Sequence, residues 1–439
     1  MEPLRIAINA QLEQNSGAGG VESILAGLVF ALGQLRDGDE QYVIIGPAQG
    51  ADWLRPYLGG NEVLASRSQK DTSAVRPRLA NGLKRALGPL RPFVKKLWRL
   101  AADPGPLRRW PEVSVSDGFY EKLGCRVIHF PYQEFVLCSI PSVFNPHDLQ
   151  HLHYPQFFTP MIFARREAIY PAACHLAHTT VVGSQWVKKD VLRHYRVSKE
   201  KVQIIPWAPP TQAYGAPSRE LLDEVKLKYS LEQPFAYYPA ATWEHKNHLR
   251  LLEALALLRD HQGCTLRLIC TGYKYPLFWP RIEETLRKLN LEGQVRFLGM
   301  VPNKDLRAIY RLAQFVIVPT LFEAASGPVF ESWLEKRPIA CSTVTSLPEQ
   351  VGDAALLFDP FSVEAIANAA KRMASDHAFR AILIERGERR LMDFSWERTA
   401  KAYRAVYRRA AGRALSEEDR FLLSWDWMRN PKREKETIP

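Results

Sequence analysis

Strand-like apolar runs alternate with helical patterns along most of the chain, and this alternation restricts the fold more than any other feature. Six runs lie in the first half, near residues 4–10, 42–46, 126–130, 142–145, 179–183 and 202–206. Five more lie in the second half, near residues 235–238, 266–271, 295–298, 315–319 and 339–342. Strands that alternate with helices form parallel sheets flanked by helices. We therefore predict an α/β fold with two doubly wound domains.

Proline and polar residues are concentrated in residues 207–218, which we interpret as an interdomain linker. Two doubly wound domains in tandem place a cleft between the carboxyl ends of their strands. The prediction is a first Rossmann-like domain (1–207), a second (218–395), a crossover helix on the first domain (396–416) and a loose polar tail (417–439).

The composition argues against a membrane-spanning, secreted or disulfide-rich protein. No run of eighteen apolar residues occurs, so the sequence predicts no membrane-spanning helix. The N-terminus begins a strand at once and lacks the pattern of a signal peptide. The six cysteines form no CxxC pair, which favours reduced structural thiols in a cytoplasmic protein.

Positive charge is concentrated in residues 76–110, which carry ten Arg or Lys and one acid, a net charge of 10 − 1 = +9. This stretch belongs to an insertion, at about residues 66–111, that interrupts the strand and helix alternation. Its leucines fall on one helical face and its basic residues opposite. Such a pattern is typical of helices on an anionic membrane surface. It also fits a helix that packs its apolar stripe on the protein. We expect no nucleic-acid partner, since no recognition motif accompanies the charge.

Glu323 and Glu331 are separated by seven residues and follow the strand-like run at 315–319. Helical sequence begins near Pro328, and a helix N-terminus preceded by small residues is a natural phosphate site. Carboxylates would repel a phosphate, but they could hold hydroxyl groups on either side of it. A sugar and a ribose that flank a diphosphate would meet this requirement, so the segment predicts a nucleotide-sugar site.

Three further residues fall in turns between a strand and a helix. Gly19 and Gly20 follow the first strand, where glycines let backbone amides approach a phosphate. Lys246 follows the first strand of the second domain, where an ammonium can reach a diphosphate. The structural alternatives are a tight glycine turn and a surface lysine beside an Asn helix cap.

His147 and Asp148 follow another strand, at the edge of the sheet where parallel folds bind ligands. We expect His147 and Asp148 to belong to the site. His151 and His153 lie close in sequence, but the three histidines lack the HExxH pattern and its glutamate. We therefore expect no metal.

Together these motifs resemble the family 4 (group 1) retaining glycosyltransferases of the GT-B fold. The resemblance runs from the glycine loop to the region of Trp396, and it leaves out the basic insertion and the tail. The Glu323–Glu331 element is the family's most specific mark. The run from His147 to Gln150 is similar to bacterial mannosyltransferases of surface polysaccharide and lipopolysaccharide assembly. The resemblance implies two Rossmann-like domains that face a central cleft, with C-terminal helices that cross back to the first.

The resemblance also implies roles for the predicted residues. The catalytic set would be His147 near the transfer point, Glu323 on the donor sugar hydroxyls and Lys246 on the donor diphosphate. Asp148 would lie with His147 on the acceptor or sugar side. The donor-binding set would be Gly19, Gly20, Lys246, Glu323, Ser326, Gly327, Pro328 and the ribose-binding Glu331.

Two departures from the family pattern affect these expectations. The family often has an arginine about five residues before the lysine, where this chain has Ala241. Neutralisation of the diphosphate would then rest on Lys246, the helix end and glycine amides. The centre of the Glu323–Glu331 element commonly reads Gly-Phe-Gly, and here it is Ala324-Ala325-Ser326. This leaves the donor sugar open.

The predicted function is the retaining transfer of a hexose, with mannose from GDP-mannose preferred and UDP-glucose open. The partners would be the nucleotide-sugar donor, a glycan or lipid-linked glycan acceptor and an anionic membrane surface, with no cofactor and no metal. The expected location is the cytoplasm, peripheral on the inner membrane. Two alternatives stay open: a nucleotide-sugar epimerase of similar fold and a non-catalytic glycan-binding protein.

Overall fold

The computed structural model describes residues 2–12, 19–47, 49–67, 110, 112–231 and 234–428. The basic stretch predicted to contact a membrane, residues 76–110, lies outside the described residues except for Trp110. Residues 429–439 of the predicted tail lie outside them as well.

The first domain is built on a seven-stranded parallel sheet with strand order β3-β2-β1-β4-β5-β6-β7. The inner strand β1 is buried along almost its whole length, because helices cover both faces of the sheet. The strands are β1 Arg5–Asn9, β2 Gln41–Pro47, β3 Glu62–Arg67, β4 Val127–Phe130, β5 Ser142–Phe144, β6 Thr179–Val182 and β7 Val202–Ile204.

Helices connect these strands, and side-chain caps define two of their starts. Thr159 accepts a hydrogen bond from the Ile162 amide, and Ser184 accepts one from the Val187 amide, as N-caps commonly do. The helices are α1 Gly19–Gln34, α2 Phe119–Lys122, α3 Gln150–His153, α4 Pro160–Leu176 and α5 Gln185–Tyr195.

The second domain contains a six-stranded parallel sheet with strand order β10-β9-β8-β11-β12-β13. Its strands are β8 Ala236–Pro239, β9 Leu268–Thr271, β10 Val295–Phe297, β11 Phe315–Val318, β12 Ile339–Ser342 and β13 Leu356–Phe358. Its helices are α6 Arg219–Lys228, α7 His248–Gln262, α8 Trp279–Lys288, α9 Asn303–Leu312, α10 Gly327–Leu334, α11 Leu347–Val351, α12 Val363–Ser375 and α13 His377–Leu391. The predicted α/β class with two doubly wound sheets is confirmed.

Strand order reverses once in each sheet, between β1 and β4 in the first and between β8 and β11 in the second. Connections on either side of such a point lead to opposite faces of the sheet, which leaves a crevice at the carboxyl ends of the two strands. Ligand sites of open parallel sheets lie in this crevice. The segments that follow β8 and β11 therefore line the crevice where a ligand of the second domain is expected.

The C-terminal part of the chain crosses back to the first domain through α14, Trp396–Ala410. The Trp396 indole donates to the Pro209 carbonyl at 2.8 Å, which joins the helix to the linker. Tyr403 and Tyr407 are fully buried and reach the strands of the first sheet. The Asn145 amide donates to the Tyr403 hydroxyl at 2.7 Å, so the helix is anchored by buried polar contacts as well as apolar packing.

The loose tail predicted from residue 417 onward is wrong over its first part. Residues Glu417–Ser424 form a helix, α15, and the Trp427 side chain beyond it is buried. Ser416 and Asp419 form a reciprocal capping box at its start. The Arg408 guanidinium pairs with Asp419 at 3.0 Å, so the polar residues that suggested a solvated tail instead form specific contacts.

Among the described residues, no helix combines the length and the apolar character that crossing a bilayer requires.

The anchoring of α14 is testable with Tyr403→Phe. This change leaves the buried Asn145 amide without its acceptor, so we expect the free energy of unfolding to fall by about 1–3 kcal/mol. Urea unfolding followed by circular dichroism measures the loss. Tyr195→Phe is the matched control, since the buried Tyr195 hydroxyl finds no partner among the described residues. Equal effects of the two changes would contradict the anchoring role.

Candidate active site

Lys246 and Glu323 meet where the strand order of the second sheet reverses. Lys246 ends a short 3₁₀ turn after β8, and Glu323 follows β11, the neighbouring strand. The Lys246 Nζ donates to Glu323 Oε1 at 2.6 Å. The two side chains are 21% and 11% exposed, so water screens the pair less than a surface ion pair.

Hydrogen bonds that involve β8 and the segment after β11 fix the turn that carries Lys246. The Leu321 amide donates to the His245 carbonyl at 2.8 Å. The Tyr238 hydroxyl donates to the Lys246 carbonyl at 2.7 Å. Asn247 has a left-handed φ of 62°, which Asn tolerates better than most residues, and its amide donates to the Pro319 carbonyl at 2.9 Å. The backbone beneath Lys246 is therefore preorganised.

The backbone of Glu323 is held by two hydroxyl groups of the segment after β12. Thr345 Oγ1 accepts from the Glu323 amide at 3.0 Å and donates to its carbonyl at 2.5 Å. Ser346 Oγ donates to the same carbonyl at 2.7 Å. Three neighbouring segments thus converge on this residue, and its carboxylate points toward Lys246.

The loop from Ser326 to Gly327 enters α10, which has Pro328 in its first turn and no side-chain cap. The Gln350 side chain accepts from the Ser326 amide at 2.8 Å and donates to the Ser326 carbonyl at 2.9 Å. Ser326 Oγ is buried and finds no partner among the described residues. A helix start fixed in this way and left uncapped is suited to an anion.

Glu331 lies in α10 and is 8% exposed. The Tyr310 hydroxyl donates to Glu331 Oε2 at 2.5 Å. Burial raises the pKa of Glu331 to about 7, although the Tyr310 hydrogen bond and the charge of Arg307 act in the opposite direction. Glu331 is therefore a carboxyl group whose charge changes near neutral pH.

The Glu323 segment also touches the first domain. The Phe322 ring packs edge-on against Trp186 at 5.5 Å and lies near His153 at 5.6 Å. The Trp186 amide donates to Glu349 Oε1 at 2.8 Å. The two domains are consequently in contact beside the Lys246 and Glu323 pair.

His147 follows β5 with a left-handed φ of 63° and is buried. Its Nε2 lies 2.8 Å from the Pro131 carbonyl, which can only accept, so Nε2 carries the proton. Burial lowers the pKa of His147, which keeps the ring neutral. Nδ1 is then a buried acceptor without a partner among the described residues. The ring packs on Trp207 at 5.3 Å.

Asp148 and the two later histidines have other partners. Arg166 pairs with Asp148 Oδ1 at 3.1 Å, and the same oxygen accepts from the Gln150 amide at 2.9 Å. His151 bonds to Glu167 at 3.1 Å, and His153 bonds to Asp190 at 2.8 Å. The three histidines near β5 therefore do not share one ligand set.

Gly19 and Gly20 begin α1, beyond the carboxyl end of β1. Among the described residues, no atom lies within 4 Å of a Cβ built at Gly20, so this part of the structure leaves its backbone open to approach. Residues 13–18, which include most of the predicted glycine loop, lie outside the described residues.

Sequence reasoning missed the residues that support the site. Gln350 fixes Ser326, Thr345 fixes Glu323, and Tyr310 bonds Glu331. Gln350 and Thr345 are contributed by the segment after β12, and Tyr310 by α9. The run Pro348-Glu349-Gln350 predicts the start of a helix. The sequence does not indicate that the Gln350 side chain bonds to Ser326.

The arrangement of two facing doubly wound domains defines the GT-B class. The structural similarity of this chain to solved structures supports the assignment to the GT-B class. Anabaena HepE in complex with UDP and glucose aligns over 92% of this chain and 99% of its own, with a TM-score of 0.63 and 14% identity. At this identity the likeness shows the fold alone.

Two family models match separate parts of the chain. "Glycosyltransferase Family 4" matches residues 19–208, and "Glycosyl transferases group 1" matches residues 234–376. Together they span most of both domains. The chain therefore belongs to the group 1, family 4 glycosyltransferases, as the sequence motifs predicted.

Curated relatives carry mannosyltransferase names. "O-antigen chain mannosyltransferase B" of Escherichia coli is 31% identical over 51% of this chain and 59% of its own length. "Serotype-specific mannosyltransferase WbdA" of Escherichia coli is 24% identical over 68% of this chain and 39% of its own length. The chain thus spans less than two thirds of the length of these relatives.

The raised pKa of Glu331 gives a pH-dependent effect on stability. The carboxyl has its usual pKa of 4.5 in the unfolded chain and about 7 in the folded protein, so the folded state binds more protons between these values. This group therefore lowers stability as pH rises from 4.5 to 7. Glu331→Gln removes the effect, so we expect the variant to gain on the order of 2 kcal/mol relative to wild type between pH 5 and pH 8.

Urea unfolding at the two pH values measures this gain. Glu253→Gln, at an exposed position of α7, is the matched control and should follow the wild-type pH profile. A Glu331→Gln profile parallel to wild type would show that the Glu331 carboxyl is already ionised at pH 5.

Proposed function

We propose that this chain is a metal-independent, retaining glycosyltransferase that moves mannose from GDP-mannose to a glycan or lipid-linked glycan acceptor. The observation that carries the proposal is the Lys246 and Glu323 ion pair at the switch point of the second sheet. A nucleotide-diphospho-sugar brings one partner for each member of this pair. Its diphosphate accepts from Lys246, and its sugar hydroxyls donate to Glu323.

Donor binding would then be an exchange of partners. In the structure, Lys246 and Glu323 neutralise each other at 2.6 Å. The donor separates them, and each charge gains hydrogen bonds from the ligand in place of its former partner. Neither charge is left buried and unpaired, which would cost several kcal/mol per ion.

The remaining donor groups fit the two ends of the segment from Ser326 to Glu331. The uncapped start of α10 can receive the diphosphate beside the Gly327 amide and the Ser326 hydroxyl. Glu331 can accept hydrogen bonds from the ribose hydroxyls in its ionised form. The backbone at Gly19 and Gly20 would approach the phosphates from the first domain.

His147 would act on the sugar side of the cleft. Its neutral ring presents Nδ1 as an acceptor, because Nε2 donates to the Pro131 carbonyl. A sugar hydroxyl near the transfer point can donate to Nδ1. Asp148 would support this side indirectly, since its carboxylate is engaged by Arg166.

The transfer step needs charge stabilisation on the departing diphosphate more than it needs a protein nucleophile. In the donor complex Glu323 would accept from the sugar hydroxyls, and Glu331 is bonded to Tyr310, so neither is a free nucleophile. The acceptor hydroxyl attacks the anomeric carbon on the face that the diphosphate leaves. The sugar–phosphate bond breaks, the nucleoside diphosphate keeps the electron pair, and its oxygen takes the acceptor proton. Lys246 and the helix end stabilise the developing charge.

The contact between the domains would limit donor hydrolysis. Phe322 and Trp186 close the cleft beside Glu323. Closure of this kind excludes water while the acceptor occupies the first domain.

Mannose is favoured as the transferred sugar by the names of the relatives. UDP-glucose is the second candidate, supported by the UDP and glucose bound in the HepE neighbour. The relatives' names also favour a role in polysaccharide or lipopolysaccharide assembly.

Two alternative functions can be distinguished from glycosyl transfer by the products that the protein forms. A nucleotide-sugar epimerase would convert the donor without an acceptor, and a glycan-binding protein would release no nucleoside diphosphate. Incubation of the chain with GDP-mannose, with and without a mannan-type acceptor, followed by chromatography of nucleotides and glycans separates all three.

The role of Glu323 is tested by Glu323→Ala. Loss of the donor sugar contact should lower kcat/KM for transfer from GDP-mannose by about 10²-fold or more. Thermal unfolding should still be cooperative, because the backbone contacts of Glu323 with Thr345 and Ser346 do not use its carboxylate. Release of GDP measured at several donor concentrations gives the kinetic constants.

Glu253→Ala is the control for this variant, as an exposed glutamate of the same domain. Lys246→Met should match the loss in Glu323→Ala, and the double variant should lose little more. A folded Glu323→Ala protein with wild-type transfer would refute the assignment.

The basic stretch at residues 76–110 is proposed to hold the protein on an anionic membrane surface. Its charge of +9 should give binding to vesicles that contain phosphatidylglycerol, and added salt should weaken it. Flotation of the full chain and of a deletion of residues 76–110 measures the binding. Vesicles of phosphatidylcholine alone are the control, and equal flotation of the two proteins would reject the proposal.

A further inference from the structure

Among the described residues, three metal-ligand side chains converge outside the proposed donor site. They are His153 at the end of α3, with Asp190 and His194 on α5. One ligand atom from each lies within 4.8 Å of the others. None of the three belongs to the residue set proposed above for the donor or the acceptor.

Local structure aims these groups at one point. Asp190 and His194 are four residues apart on a helix, so their side chains lie on the same face. His153 Nε2 is 2.8 Å from Asp190 Oδ2, and His194 Nε2 is 3.3 Å from Asp190 Oδ1. The two imidazole rings are 5.7 Å apart and nearly perpendicular, at 81°. Both oxygens of one carboxylate therefore face a separate imidazole nitrogen.

Burial differs between the members of this cluster. The Asp190 side chain is 6% exposed, whereas the His153 and His194 side chains are 30% and 34% exposed. The carboxylate is thus fixed within the protein, while the imidazole side remains open to solvent. A metal ion could enter from that side and keep a water molecule as a further ligand.

Aromatic packing restricts the orientation of one ligand of the cluster. The His153 ring packs against Trp186 at 5.3 Å and against Phe322 at 5.6 Å. The ring is therefore held in place by its neighbours as well as by its hydrogen bond to Asp190.

We propose that His153, Asp190 and His194 bind a first-row transition-metal dication, with Zn²⁺ as the expected ion. Two imidazoles and a carboxylate with an open position form a known zinc ligand set. The metal would replace the hydrogen bond between His153 and Asp190 and the 3.3 Å contact between His194 and Asp190. This site does not depend on the donor chemistry, which uses Lys246 in place of a metal.

The test uses the full-length chain without an affinity tag, stripped with EDTA and dialysed. Zn²⁺ titration in competition with a chromogenic chelator should give one tight equivalent per chain. Co²⁺ should give visible absorption bands of a four- or five-coordinate ion. His194→Gln and Asp190→Asn should each lower Zn²⁺ affinity by about 10-fold or more. His261→Gln, an exposed histidine at the end of α7, is the control and should bind as wild type does.

Circular dichroism checks that each variant is folded. His194 is partly exposed at the helix end, so His194→Gln decides the matter if Asp190→Asn unfolds. Equal Zn²⁺ affinity in wild type and folded His194→Gln, or Co²⁺ bands of an octahedral aqua ion in both, would overturn the proposal. The result is independent of transfer activity, so failure of the zinc site and failure of the proposed function remain distinguishable.

Discussion

The ion pair of Lys246 and Glu323 joins segments that are 77 residues apart in sequence. It exists because β8 and β11 are neighbours in the sheet, and their register pairs Ala236 with Phe315 at the start of the strands. Parallel strands bring their carboxyl ends to one edge, so the turns that follow must lie side by side. The hydrogen bond from the Leu321 amide to the His245 carbonyl then fixes their separation. Sheet topology, rather than local sequence, places the ammonium beside the carboxylate.

The C-terminal crossover also connects the second domain to the first. α14 follows the second domain in sequence but packs on the first, where Arg404 pairs with Asp37 at 2.6 Å and lowers the pKa of that carboxyl to about 2. Tyr407 bonds to His129 at 2.8 Å in the buried centre. Since the linker near Pro209 and α14 both connect the domains, the cleft is spanned twice. Two connections restrict the relative motion of the domains more than one linker would.

Much of this architecture was predictable from local pattern, and the exceptions have physical causes. Central strands are buried on both faces and therefore appear as apolar runs, which made β1 and β11 readable. The edge strand β3 was missed because Val63 is 53% exposed and the apolar pattern of the strand is weak. The three-residue strand β13 was also missed, although its residues are apolar. Lys246 and Glu323 were predicted as site residues, because each follows a strand-like run in a turn before a helix. Gln350 and Tyr310 were not, since their roles depend on contacts between elements that sequence spacing does not specify.

Two carboxylates beside a phosphate site would repel the phosphate, and the structure reduces this repulsion in two different ways. Glu323 is neutralised by a lysine at hydrogen-bond distance. Glu331 is buried beneath a tyrosine hydroxyl, and its pKa of about 7 leaves part of the population uncharged at neutral pH. The helix start at Gly327 between them adds a partial positive charge. The segment therefore presents much less negative charge to an anion than its composition suggests, while both carboxylates remain able to accept hydrogen bonds from hydroxyl groups.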